Sequence, residues 1–322
     1  MRRRDFFTVL GGATAWPLVA RAQRPFQVGY LYPGPQQAAE IRIAAVLTGL
    51  RSGGLSSPDQ VKVVPRITGG DVASLAPMAA DLVAHNIDVI IAVGPAAVRA
   101  AQAATKSIPI VASDLESDPV VSGFITSYAR PGGNITGTFL DFPDFGKKWL
   151  EALKEAVPRL SSVAVLWDPT TGPTQLRAVE AAAPTFGIKL ATHELHGPAE
   201  VEAAFQGVSE EHPGALLILS SPLVGANTKR FAELATVHRL PAVTLFPDFA
   251  RNGGLMAYGP NLPAFYRQQG IIAARILLGA KVAEMPVEIP SKFEFVLNLK
   301  TASTLGINIP PSILLRADEV IE

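Results

Sequence analysis

Several clusters of side chains in this sequence could act on a small molecule. Asp114-Leu115-Glu116-Ser117-Asp118 sets three carboxylates at alternate positions. That spacing could offer oxygens to calcium, but the glycine and the distal bidentate glutamate of a calcium loop are missing. A carboxylate meeting a ligand ammonium, or capping of the loop itself, are the remaining readings. His193-Glu194-Leu195-His196 resembles half of a zinc motif, at i and i+3 with no third ligand in view, and reads as surface.

Other residues could orient a ligand without reacting with it. Gly94-Pro95-Ala96-Ala97 places a glycine before a proline at a first helical position, where free N–H groups and the helix dipole suit a carboxylate. The same dipeptide is also ordinary helix-entry punctuation. Ser220-Ser221 offers hydroxyls beside another helix entry, as ligand donors or as plain caps. Tyr32, Trp167, Phe246 and Tyr258 close apolar runs; they could sandwich a ligand or simply fill core.

A reactive constellation is missing from this inventory. The chain has no Gly-x-Ser-x-Gly elbow, no phosphate loop and no Gly-x-Gly-x-x-Gly after a strand. Zero cysteines remove disulfides, thiol catalysis and cysteine zinc sites together. Lys plus Arg is 28 and Asp plus Glu is 28, so no basic excess points to nucleic acid. An enzyme on a paired α/β-lobe scaffold, acting on a small metabolite, is the alternative to a binding protein. Neither metal nor cofactor is expected.

The elements that must position these residues alternate regularly. Strand runs at 28–32, 61–64, 88–93 and 108–112 are separated by helical periods at 37–51, 72–85 and 96–105. The order repeats with strands at 163–167, 188–192, 215–219 and 241–245. Equivalent elements lie about 120–135 positions apart, far beyond a solenoid period. This predicts a duplicated α/β architecture: two Rossmann-like lobes, each with a mostly parallel sheet. The glycine-flanked stretches 132–139 and 253–261 read as crossover strands, with a third crossing at 286–290. Crossings near 134–139, 254–258 and 286–290 divide the chain into lobe I (26–135 plus 258–286) and lobe II (139–254 plus 290–322). Ligands of open parallel sheets sit beyond the carboxyl ends of the strands. The residues expected to contact one are Tyr32, Gly94, Ala96, Asp114, Ser220, Ser221, Phe246 and Tyr258.

The first residues read as an export signal. Arg2-Arg3-Arg4-Asp5-Phe6-Phe7 fits a twin-arginine signal, an apolar stretch runs from Thr8 to Val19, and Ala20-Arg21-Ala22 places cleavage before Gln23. The apolar run falls short of the ~20 residues that span a bilayer. Residues 1–22 are thus expected to be removed, leaving a periplasmic protein.

With these residues laid out, the chain resembles a known family. Arg130-Pro131-Gly132-Gly133-Asn134-Ile135-Thr136-Gly137, Gly253-Gly254-Leu255-Met256-Ala257-Tyr258-Gly259-Pro260, Lys292-Phe293-Glu294-Phe295-Val296-Leu297-Asn298-Leu299-Lys300-Thr301-Ala302 and Leu314-Leu315-Arg316-Ala317-Asp318-Glu319-Val320-Ile321 are similar, in that order, to the ABC transporter substrate-binding proteins of the TrpX type. The resemblance implies a type I periplasmic binding fold with a multi-strand hinge, a partner permease with its ATPase, and a small-molecule ligand. Amino acids, aromatic ones especially, are ligands of some relatives. Two positions depart from the pattern. Val93-Gly94-Pro95-Ala96 stands where relatives often carry a polar Thr or Gly-rich loop, and Ser221-Pro222 where they often carry Asp-Pro. A monomeric receptor that closes on its ligand and delivers it to an importer is the expectation.

Overall fold

The computed structural model describes residues 24–140 and 142–322, so the expected export signal lies outside the described residues. In the first lobe, β1 (Phe26–Tyr32), α1 (Gln36–Ser52), β2 (Val61–Ile67), α2 (Leu75–Ala84), β3 (Val89–Val93), α3 (Pro95–Ala104), β4 (Ile110–Ser113) and β5 (Ile135–Thr138) follow one another. The sheet order is β2-β1-β3-β4-β5, and all pairings are parallel. β3 is buried at every position, as a strand covered on both faces must be.

The second lobe holds α4 (Phe142–Ala156), β6 (Ser162–Trp167), α5 (Thr174–Ala182), β7 (Lys189–Glu194), α6 (Val201–Glu210), β8 (Ala215–Ile218), α7 (Pro222–Ala226), α8 (Thr228–Val237), β9 (Ala242–Thr244), α9 (Pro247–Arg251) and β10 (Met256–Pro260). The chain then makes α10 (Leu262–Leu277), β11 (Phe293–Asn298), α11 (Leu299–Leu305), α12 (Pro311–Arg316) and β12 (Glu319–Ile321). The second sheet runs β12-β11-β10-β9-β8-β6-β7. Its segment β7-β6-β8-β9-β10 has the same order as the whole first sheet, so the repeat seen in the sequence is a repeat of topology. β10 and β11 pair antiparallel, the exception in otherwise parallel sheets.

Helix α10 belongs spatially to the first lobe. Its Ile272, Ala273 and Ile276 pack with Val28, Tyr30, Val46 and Val89 on the face that α1 also covers. The two helices touch backbone to backbone at paired glycines. A Cβ on Gly49 would fall 1.9 Å from the Arg267 carbonyl oxygen, and one on Gly270 2.1 Å from that of Val46.

One crossing falls later than its expected place near 254–258. Met256–Pro260 is a full member of the second sheet, with Met256 opposite Val243 on one side and Leu297 on the other. The chain leaves the second lobe only at Asn261, whose side chain caps α10 by accepting from Ala264 N at 2.8 Å. Tyr258 therefore sits in the second lobe. The other two crossings bond to each other: Phe139 N donates to Glu288 O at 3.0 Å, and Glu288 N to Gly137 O at 2.9 Å.

Candidate functional site

The carboxyl ends of the two sheets face each other, and the lobes meet there. Gly94 has φ of +78°, a backbone state that favours glycine, and a Cβ on it would come within 3.1 Å of Pro222 Cγ in the other lobe. Arg99 Nη2 donates to the Thr170 carbonyl at 2.8 Å across the same gap. A cavity of about 190 Å³ remains at the mouth, lined by Gly34, Gly94 and Ala96 from one lobe and Asp168, His196 and Leu223 from the other.

Beneath the mouth lies a buried polar junction. Asp114 accepts from Glu116 N at 2.8 Å, Ser117 N at 3.0 Å and Ser117 Oγ at 2.5 Å. These bonds fold the loop after β4 so that the Glu116 side chain points at the second lobe. There Glu116 Oε1 accepts from Ser220 Oγ at 2.8 Å. Ser220 is held by Gln175 on α5, which donates Nε2 to the Ser220 carbonyl and accepts the Ser220 N–H, both at 2.8 Å. Burial raises the pKa of both carboxyls, most strongly that of Glu116, which also feels the Asp114 charge.

Arg42 on α1 borders this junction. It is 6% exposed, and its guanidinium stands 4.4 Å from the ring centroid of Tyr32 and 5.0 Å from that of Tyr266. Burial, partly offset by Arg42, pushes the Tyr32 hydroxyl up to about 12.

The expected contact residues divide into three groups. Gly94 and Ala96 line the mouth. Asp114 and Ser220 form the junction, and Tyr32 lies against Gly34 directly below the mouth, where a Cβ on that glycine would be 2.3 Å from the Tyr32 hydroxyl. The remaining three have their partners within the second lobe. Ser221 caps α7, accepting from Val224 N at 3.2 Å. The Phe246 ring packs inside the second lobe, 2.8 Å from where a Cβ on Gly225 would stand. Tyr258 lies among Phe145, Phe293 and Phe295, with its hydroxyl accepting from Lys148 Nζ at 3.0 Å, beside a separate depression near Glu151 and Asp318.

Sequence reasoning set Glu116 in the acidic run without selecting it, and it passed over Arg42 and Gln175. A signal for Arg42 was present: Ala39, Arg42, Val46 and Gly49 share one helical face, and that face is buried. The other carboxylates of interest serve their own loops. Asp118 accepts from Val120 N and Val121 N, and Asp168 from Thr170 N and Oγ1. Among the described residues no group of three or more His, Asp or Glu side chains could hold a metal ion.

Two topologically matched α/β lobes, joined by three crossings and meeting over a buried polar junction, define a two-lobed binding protein of the type I periplasmic fold. The chain belongs to the ABC transporter substrate-binding protein family, whose pattern residues 37–321 match. It is 23% identical over 263 residues to a tyrosine-binding protein of Clostridioides difficile (strain R20291), a match covering 81% of this chain and 75% of that protein. Among solved structures, the ABC domain from Streptococcus pneumonia in complex with L-Trp superimposes with a TM-score of 0.84 at 23% identity, over 92% of this chain and all (100%) of the other. The ligand-free, open structure of a substrate-binding protein with adhesive properties from Clostridium difficile gives 0.65 at 22% identity, covering 92% and 99%.

Proposed function

We propose that this protein is a periplasmic receptor that captures an amino acid or a related small carboxylate, aromatic amino acids among them, by closing its lobes. The closed, loaded form then delivers the ligand to a permease with its ATPase. The observation that carries this reading is the Ser220–Glu116 hydrogen bond, a buried polar contact made only when the lobes meet. Tyr32, Gly94, Ala96, Asp114 and Ser220 belong to the proposed site, joined by Glu116 and Arg42. Ser221, Phe246 and Tyr258 support it from within the second lobe. The aromatic preference is supported by what the tyrosine-binding relative and the L-Trp complex hold, and by the rings of Tyr32 and Tyr266 at the junction.

Export through the twin-arginine route, with cleavage before Gln23, is supported by Arg2-Arg3-Arg4-Asp5-Phe6-Phe7 and by Ala20-Arg21-Ala22, and the mature receptor is proposed to work as a monomer. The test of the receptor reading is a thermal-shift screen over amino acids, small carboxylates, amines and sugars. A ligand at 100 times its dissociation constant adds about 2.7 kcal/mol of stability. A screen without any shift, from a protein that instead turns over a metabolite, contradicts the reading.

A further inference from the structure

Arg42 is a buried cation with no carboxylate in direct contact; Glu116 acts on it only at longer range. Its ring contacts offset only part of the cost of taking a guanidinium out of water. Among the described residues no Asp or Glu forms an ion pair with it, whereas arginines such as Arg230, Arg251 and Arg316 all do so.

The sheet face that α1 covers carries a second anomaly. Strand register brings Tyr32, Val93, Ser113 and Thr138 to one level at the carboxyl end of the first sheet: Leu31 opposes Ala92, Val93 opposes Ser113, and Ser113 opposes Thr138. Residues in register on parallel strands point to the same face, here the face covered by α1 and α10. The Tyr32 hydroxyl, Ser113 Oγ and Thr138 Oγ1 are buried on that face without a hydrogen-bond partner. So are both amide atoms of Gln269, which is fully buried on α10. Buried polar groups are nearly always partnered, so five orphaned atoms at one end of one sheet mark a place where partners come from outside the chain.

We propose that Arg42 is the anion anchor of the cleft: its guanidinium takes the carboxylate of a small organic acid, and the Tyr32, Ser113 and Gln269 side chains supply further hydrogen bonds to the same ligand. This rests on the receptor reading and narrows its substrate class. A guanidinium presents a planar fork of donors that matches a carboxylate, and aromatic faces on two sides hold that fork in place. The acidic pair Asp114–Glu116 belongs to the same lobe as Arg42 and reaches across to Ser220 of the other. An α-amino acid satisfies both groups at once, with its carboxylate toward Arg42 and its ammonium toward Glu116.

The test compares acids with their uncharged counterparts on the full mature protein. The L-amino acids, their carboxamides and their decarboxylated amines are titrated against wild type, Arg42→Lys and Arg42→Gln. Wild type is expected to bind at least one acid about a hundredfold more tightly than its carboxamide, the scale of leaving a buried charge without its partner. Arg42→Gln is expected to lose that factor for the acid and to bind acid and carboxamide alike, and Arg42→Lys to fall between. A merely structural arginine would weaken both ligands equally. Equal binding of acid and carboxamide by wild type, or discrimination that survives in Arg42→Gln, overturns the proposal. Binding of uncharged sugars or amines alone also overturns it while leaving the receptor reading intact. Silence across every class counts against the receptor reading itself. If Arg42→Gln does not fold, the acid-to-carboxamide ratio of wild type and the Arg42→Lys variant still decide.

Discussion

Ser220 Oγ and Glu116 Oε1 lie 2.8 Å apart at the bottom of the cleft, one after a strand of the second lobe and the other after a strand of the first. Each is fixed by its own lobe: Ser220 by the double hydrogen bond to Gln175, and Glu116 by the loop that Asp114 ties together. The contact thus links the two lobes and depends on their separation. Replacing Ser220 by Ala leaves a buried carboxyl without this partner in the closed form alone. The expected result is a roughly tenfold loss of ligand affinity, about 1.4 kcal/mol, with the melting temperature of the ligand-free protein little changed. Calorimetric titration and a melting curve of the variant measure the two quantities.

The raised pKa of Glu116 gives the closed form a pH dependence. Below the ordinary glutamate value of 4.5 the carboxyl is protonated whether buried or exposed, and pH has no leverage through it. Between that value and the raised one, the exposed carboxyl ionises while the buried one keeps its proton. The closed, empty form therefore loses stability as pH rises through this window. An ammonium ligand favours the ionised carboxylate, so where the empty protein holds the closed form with Glu116 protonated, binding releases that proton and the affinity rises with pH across the window. Asp114 titrates with Glu116 as a pair, so the release belongs to both. Titrations in two buffers of different ionisation enthalpy should show this release, and Glu116→Gln should reduce it. Buffer-independent heats for an ammonium ligand would contradict the assignment.

Gly94 bears on closure more than on either lobe alone. Its φ of +78° and ψ of 159° lie in a region open essentially to glycine, costing another residue on the order of 1–3 kcal/mol, and a side chain there meets Pro222 from 3.1 Å. Gly94→Val is expected to lower the melting temperature by several degrees and, beyond that, to weaken ligand binding by an order of magnitude or more. Binding as tight as wild type would mean that the lobes close without bringing Gly94 to Pro222.

Local pattern carried most of the fold. Uniformly apolar runs such as Val89–Val93 and Ala215–Ile218 announced covered parallel strands, and Gly94-Pro95 and Ser221-Pro222 announced the helices that follow. The stretch 253–261 was legible as a strand but not as a member of the second sheet. Its place there is fixed by pairing with Phe293–Asn298, after an entire helix of the other lobe has intervened. The site was harder to see for the same reason. Strand-end rules place Gly94, Ala96, Asp114 and Ser220 just beyond their strands, because that placement depends on backbone position alone. They could not show that Phe246 and Tyr258 pack within the second lobe, or that a helix from late in the chain brings Tyr266 beside Arg42 over the first sheet. Those placements come from packing between remote segments, and the glycine pair Gly49–Gly270 that permits the α1–α10 approach is unremarkable in sequence.

The central claim is that the lobes close around the ligand, and the absence of cysteine allows a direct measurement of it. Gln37 and Lys229 are exposed on opposite lobes, so Gln37→Cys with Lys229→Cys takes two spin labels and no others. The inter-label distance is read by double electron–electron resonance without ligand and with the amino acid that gives the largest thermal shift. Saturation with ligand is expected to replace a broad distribution by a shorter, narrower one. An identical distribution in both samples, with ligand shown to be bound, would contradict capture by closure.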